Sequence, residues 1–303
     1  MAIAKSWIKA ARPWTLPLAL SGILMGCGLA WFYGVINALV SVLAVITAIL
    51  IQVFSNFAND YGDSQKGTDN EFRLGPARTV QSGEITPGEI KTGMFIIGGL
   101  SLIFGFWLVY EGTWDVSRTA FFSFMGLGIL SVVAAYFYTA GKRSYGYIGL
   151  GDLAVFLFFG LLPVTGVFYL NTSYLDSNII YLALTMGAFS TGVLNLNNMR
   201  DAENDKKSGK ITLPVRMGKR YSRIYHTTLI LTGWVAAIIF TIHQRTSDWQ
   251  WLFLLSLPFF LIDLVKIYSI RDARLLDPFL KRLALSSLAF TLLFFLGLIL
   301  PSL

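Results

Sequence analysis

Nine long apolar stretches limit what this chain can fold into: about 15–34, 36–58, 93–111, 119–139, 150–170, 178–197, 225–243, 249–269 and 284–302. Each is close to the roughly 20 residues a helix needs to cross a bilayer at about 1.5 Å per residue. A backbone embedded in lipid has no water to bond, so such stretches must satisfy their hydrogen bonds internally, as helices. Of 303 residues, 55% are hydrophobic and 14% charged, outside ordinary soluble composition. The expected fold is an all-α integral membrane protein, a single transmembrane domain over 1–303 with nine transmembrane helices. "MAIAKSWIKAARPW" resembles the start of a signal peptide, but no small-residue cleavage site follows, so the first stretch reads as an uncleaved span. Cys27 is the one cysteine, which excludes a disulfide or a thiolate metal cluster within the chain.

A net charge of +7 invites a nucleic-acid reading, but the distribution of the basic residues opposes it. All lysines and arginines except Arg118 and Arg245 fall at the N-terminus or in alternate loops. That pattern puts the N-terminus and the even-numbered loops in the cytoplasm and, with nine spans, the C-terminus outside the cell membrane. The lipid bilayer is the expected partner, and no nucleic acid is.

Two cytoplasmic loops, about 60–92 and 198–224, are long, and both open on asparagine and aspartate at the end of a span. The first begins Asn59-x-x-x-Asp63, with Asp69 beyond, and the second Asn197-x-x-x-Asp201-x-x-x-Asp205. The offset is 138 residues for both pairs, 59 to 197 and 63 to 201, consistent with a four-helix unit used twice and a ninth helix added. On a helix Asn56, Asn59, Asp60 and Asp63 share a face, as do Asn197, Asp201 and Asp205. Crowded carboxylates repel unless a cation intervenes, and hard oxygen donors suit magnesium completed by phosphate. One acidic cluster alone reads more simply as a solvated helix end. Two with matching spacing point to a site.

Phosphate also needs cations. Arg78 lies in "GPARTVQSG", Lys142 and Arg143 in "YTAGKR", Arg200 within the second motif, and Lys206, Lys207 and Lys210 after it. Asp263 and Lys266, one turn apart, are expected to pair or to snorkel near a helix end, and the small residues of "GLGILSVVAAYF" to let helices pack closely.

Through "NDYGDSQKGTDN", "GPARTVQSGEI", "YTAGKRSYGYIGLGD" and "NNMRDAENDKKSGKITLPVRMG", in that order, the chain resembles the UbiA superfamily of intramembrane aromatic prenyltransferases. It is most similar to the branch acting on 1,4-dihydroxy-2-naphthoate, over essentially its whole length. The resemblance implies a bundle of two four-helix units plus one. It also implies transfer of a polyprenyl chain from polyprenyl diphosphate to 1,4-dihydroxy-2-naphthoate, with loss of carbon dioxide and diphosphate, giving demethylmenaquinol in menaquinone biosynthesis. Magnesium would be held by Asn59, Asp63, Asn197, Asp201 and Asp205, and Asp60, on the same stripe, and Asp69 are further candidate metal ligands. Many members carry a further acid where Gly67 stands here; Asp69 takes its place. Arg78, Lys142, Arg200 and Lys206 would bind diphosphate, and Tyr138 with Lys142 matches a Tyr-x-x-x-Lys element, so Asp63, Asp201, Lys142 and Tyr138 are the expected catalytic residues. Tyr138 and Asp152 are the candidates for a proton acceptor. The same chemistry on another acceptor, such as 4-hydroxybenzoate, is an alternative. A divalent-cation transporter would need acids deep within the spans, not gathered at their cytoplasmic ends.

Overall fold

The computed structural model describes residues 2–141 and 144–302; Lys142 and Arg143, expected beside the diphosphate, lie outside them. Helix α1 (Ala2–Ala11) ends at Arg12, whose left-handed backbone (φ 49°, ψ 66°) turns the chain into α2 (Leu16–Phe32). There follow α3 (Ala38–Gln65), α4 (Pro87–Thr113), α5 (Arg118–Phe137), α6 (Gly151–Thr172), α7 (Ile179–Lys207), α8 (Leu213–His243), α9 (Asp248–Ser269) and α10 (Ala273–Ile299). Among the described residues, 9 helices are long and apolar enough to cross a membrane, counting the stretch Ala4–Phe32 as one.

Starts are set by local chemistry. The Asn37 side chain accepts from the amides of Leu39 and Val40 and caps α3; Thr86 and Glu89 form a reciprocal capping box on α4, with Pro87 in its first turn; Ser117 caps α5. Large apolar side chains such as Phe122 and Val265 (69% and 74% exposed) face outward, as a lipid-facing surface requires.

Several helices outrun their apolar stretches. α3 continues to Gln65 and α7 to Lys207, so both acidic motifs lie on continuous helix and not in loops. The long loop expected over 198–224 is mostly helical: α8 begins at Leu213 and breaks once, at Gly218 (φ 74°, ψ 173°). The long connection that remains, from Lys66 to Thr86, is the one that matters for the site.

Packing draws both motifs to one end. α3 pairs with α4 and α7 with α8 as antiparallel neighbours, while α10 lies against α2, α7 and α9. α7 is the most enclosed span and α5 the least. Phe189, Trp234, Phe253, Phe260, Phe290 and Phe294 interlock in the second half, Phe189 meeting Phe290 edge-on at 5.3 Å, so many phenylalanines are core. Asp263 pairs with Arg282 of α10 (Nε to Oδ2 3.1 Å) instead of with Lys266, because the neighbouring helix brings a planar donor fork to it. Gly126 and Gly128 of α5 have no neighbouring atom among the described residues within 4 Å of a would-be Cβ, so these two glycines do not mark a close helix contact; Gly128 lines a cavity instead.

Close helix contacts lie elsewhere: between α6 and α7, where a Cβ on Gly160 would sit 2.2 Å from Gly187 Cα, and between α2 and α6. A Cβ on Gly26 would sit 2.9 Å from the Val164 carbonyl oxygen and 2.9 Å from Val167 Cβ. Gly26→Leu is expected to cost about 1–3 kcal/mol or more by overpacking, read as a lower thermal midpoint in detergent. Gly99→Leu, at a position with nothing within 4 Å, should leave it unchanged.

Candidate active site

A cavity of about 710 Å³ runs between the helices, and its wall changes character along its length. At one end it is lined by Arg12, Asn59, Asp60, Asp63, Arg73, Arg78, Asn197, Arg200 and Lys210; away from these, Leu18, Ile23, Ile51, Leu108, Phe158 and Val167 line it. The charged end belongs to the last turns of α3 and α7 and to the connection between α3 and α4, with Arg12 from the α1–α2 corner and Lys210 from the α7–α8 connection. The apolar remainder lies within the bundle.

The acids are not solvated helix ends. Asp60, Asp63, Asp201 and Asp205 are buried, and so is the side chain of Asp69. Buried carboxylates are strongly disfavoured unless paired. Arg78 supplies most of the pairing: its Nη1 is 2.8 Å from Asp63 Oδ2 and 3.7 Å from Asp60, its Nε is 3.2 Å from Asp69, and it donates to the Asn59 carbonyl oxygen at 2.9 Å. Arg73 joins the two motifs, with Nε 3.3 Å from Asp69 and Nη2 3.8 Å from Asp201. Arg200 forks onto Asp201 at 2.6 and 3.0 Å, donates to Asn197 Oδ1 at 2.8 Å and pairs with Asp277. Arg12 pairs with Asp60, and Lys210 Nζ is 3.6 Å from Asp205.

Neutral groups hold this layer in place. The Tyr147 hydroxyl donates to Asp63 Oδ1 at 2.7 Å, Thr79 donates to Asp60 at 3.1 Å, and Thr139 donates to Asn59 Oδ1 at 3.1 Å. A Cβ at Gly75 would meet the Arg200 guanidinium at 2.5 Å, so a larger residue there would have to displace that side chain from where it lies against the loop. Asn204 donates to the Thr68 carbonyl oxygen at 3.0 Å, tying α7 to the same loop.

Burial pushes the Asp69 carboxyl above its usual range, with Arg78 opposing; desolvation lowers Arg78, but Asp63 and Asp69 more than restore it, so it stays charged. Burial, then nearby Asp152, drives the Tyr138 phenol far above its ordinary value. Tyr138 lines the cavity, and a phenolate base there is disfavoured. Asp152 is buried with one oxygen unpartnered and is not among the lining residues.

The sequence-derived set is therefore largely brought together: Asn59, Asp60, Asp63, Asp69, Arg78, Asn197, Arg200, Asp201 and Asp205 form one layer, with Tyr138 beside it. Lys206 is exposed and does not line the cavity, whereas Lys210 does, after the chain turns back at Gly209. Arg12, Arg73 and Asp277 lie outside the quoted motifs, and Tyr147 lies within "YTAGKRSYGYIGLGD" without a role that its spacing assigns. Arg12 looked like a membrane-flanking charge, and nothing in the sequence ties it to Asp60.

Every donor here is a hard oxygen, as magnesium prefers. Asp205 Oδ2 and both Asp69 oxygens are buried without a hydrogen-bond partner among the described residues, so the donor chemistry fits a divalent cation. Arginines lie between the acids, and no three acidic groups among the described residues converge on one point as they stand.

Residues 19–288 match the model of the UbiA prenyltransferase family. A Haemophilus influenzae protein named 1,4-dihydroxy-2-naphthoate octaprenyltransferase is 43% identical over 300 residues, covering 97% of this chain and 96% of its own. An Escherichia coli protein of the same name is 42% identical, covering 98% and 96%. In fold, the chain is similar to a UbiA homolog from Archaeoglobus fulgidus bound to DMAPP and Mg2+, at 16% identity and a TM-score of 0.62 over 95% of this chain and 99% of that one.

Removing Arg78 takes a shared cation from three buried carboxylates, of which Asp60 keeps Arg12 and Asp69 keeps Arg73 while Asp63 loses its closest ion-pair partner. Arg78→Gln is expected to cost on the order of 3–5 kcal/mol, seen as a lower thermal midpoint in detergent. Adding Asp63→Asn should recover part of that loss, since it removes the charge left without that partner.

Proposed function

The chain belongs to the UbiA prenyltransferase family, and from that premise we propose that it transfers a polyprenyl chain from polyprenyl diphosphate to 1,4-dihydroxy-2-naphthoate, releasing diphosphate and carbon dioxide and giving demethylmenaquinol for menaquinone biosynthesis. One observation carries this reading: a single cavity joins a buried ionic end to an apolar run, the two chemistries of a polyprenyl diphosphate. The names of the bacterial relatives support the acceptor.

Arg73, Arg78, Arg200 and Lys210 hold the diphosphate, the arginines through forked donors that match its oxygens. Asp63, Asp69, Asp201 and Asp205, with the amide oxygens of Asn59 and Asn197, would hold magnesium, the ion to which the Archaeoglobus homolog is bound together with DMAPP. When bound, magnesium supplies positive charge that stabilises the departing diphosphate. Tyr147 and Thr79, hydrogen-bonded to Asp63 and Asp60, orient those carboxylates.

The allylic carbon lies where the ionic wall gives way to the apolar one. Its bond to the diphosphate oxygen breaks with the electron pair on oxygen, and the faces of Tyr138, Phe158 and Phe159, all lining the cavity, stabilise the positive charge that develops. The electron-rich ring forms the new carbon–carbon bond. The carboxylate leaves as carbon dioxide and its bonding pair stays on the ring, so the overall transfer balances without a net proton. A protonated Tyr138 is compatible with that balance.

The distribution of basic loops supports a reading in which the ionic end and the N-terminus face the cytoplasm across the inner (cytoplasmic) membrane and the C-terminus lies outside. Purified protein in detergent, given magnesium, polyprenyl diphosphate and 1,4-dihydroxy-2-naphthoate, should yield a decarboxylated prenyl product by mass spectrometry. Chelation should abolish the product and added magnesium restore it, and Asp63→Ala or Asp201→Ala should lower the rate by about a hundredfold or more. Product with 4-hydroxybenzoate alone would replace the acceptor, and no transfer to any aromatic would overturn the reading.

A further inference from the structure

Eleven residues before Asp63 on α3, about 16 Å deeper along the helix axis, the cavity wall holds one amide whose oxygen is left over. Gln52 is 7% exposed and lines the cavity beside apolar positions of its own helix, Ala48 and Ile51. Its Nε2 lies 2.9 Å from Thr15 Oγ1 and 3.4 Å from Asn56 Oδ1.

The surrounding bonds fix which way the amide faces. Thr15 Oγ1 gives its proton to the Arg12 carbonyl oxygen (2.9 Å), so toward Gln52 it must accept. Asn56 Nδ2 donates to the Ala11 carbonyl oxygen (2.9 Å) and to Thr15 (3.0 Å), so its Oδ1 likewise accepts. Both neighbours therefore require the donor end of Gln52, and its Oε1 has no partner among the described residues. A buried carbonyl oxygen left unpaired is destabilising, so its presence at one position calls for a use.

We propose that Gln52 Oε1 accepts a hydrogen bond from a phenolic hydroxyl of the aromatic acceptor and fixes where its ring sits. The inference rests on the prenyltransferase reading of the cavity. Of the groups that reaction brings in, the prenyl tail has no donor, and diphosphate and carboxylate are themselves acceptors that an amide oxygen repels. The hydroxyls of the acceptor are the donors that remain. Because the far end of the amide is pinned to the α1–α2 corner, the ring is placed relative to Arg12 and Asp60 at no further ordering cost. Donation to Oε1 also leaves more electron density on the phenol oxygen and hence on the ring that attacks.

Steady-state kinetics of the full chain in detergent test this with wild type, Gln52→Leu and Gln52→Glu, with 1,4-dihydroxy-2-naphthoate and its two monomethyl ethers as acceptors. Gln52→Leu should raise the KM for the naphthoate about tenfold and leave the KM for polyprenyl diphosphate within about twofold. Wild type should lose a similar factor with one monomethyl ether, and Gln52→Leu should not distinguish that ether from the parent. Gln52→Glu, which keeps a carbonyl oxygen, should recover much of the affinity when its carboxyl is protonated. If Gln52 only braces Thr15 and Asn56, the leucine variant will shift both KM values or the thermal midpoint and still discriminate against the ether, which overturns the proposal. Should the leucine variant fail to fold, equal use of the parent and both ethers by wild type overturns it as well. A wild type that prenylates no aromatic compound removes the functional reading first, and this inference with it.

Discussion

Everything at the ionic end depends on carboxylates and guanidiniums being buried together. A carboxylate removed from water is strongly destabilising alone, and so is an arginine; either is tolerable because the other is within reach. α3 and α7 each carry their acids past the apolar part of the helix, and the Lys66–Thr86 connection folds back to deliver Arg73 and Arg78 onto them. That connection is ordered by what it contacts: Gly75 lies on Arg200, Thr79 bonds Asp60, and Asn204 holds the Thr68 carbonyl oxygen. The ion pairs thus do for the loop what apolar packing does for the helices.

Much of this was legible in the sequence because two periodicities dominate it. Apolar stretches of bilayer length give the spans, and the repeated Asn-x-x-x-Asp spacing at the ends of the second and sixth gives the place where they converge. Hydropathy reads where lipid begins, not where the backbone stops being helical, so α7 extends to Lys207 through residues that look like loop. Choosing Lys210 over Lys206 requires knowing that the chain reverses at Gly209. Arg12 and Asp277 reach the site from far along the chain, and the choice of Arg282 over Lys266 for Asp263 is made by the register of a neighbouring helix. Tertiary contacts of that kind leave no local pattern.

Gln52 occupies an intermediate position. Its place on the same helical face as Asn56 and Asn59 can be read from spacing, but the direction of its amide follows only from the bonds of Thr15 and Asn56. A polar residue at that depth looks like a packing oddity until its neighbours are traced.

The arginine pairing at the acids also has a kinetic side. Arg78 and Arg200 already hold the carboxylates that a metal would use, and the same guanidiniums are the groups a diphosphate would claim. On the proposed reading, loading the site would be an exchange of partners and not an addition of new ones. The resting ion pairs would act as a tethered competitor that subtracts from the affinity of the polyanion. Once transfer severed the tail, the diphosphate would lose its hydrophobic anchor while the competitor remained. Turnover would be favoured because the protein's own charges reclaim each other as the product leaves.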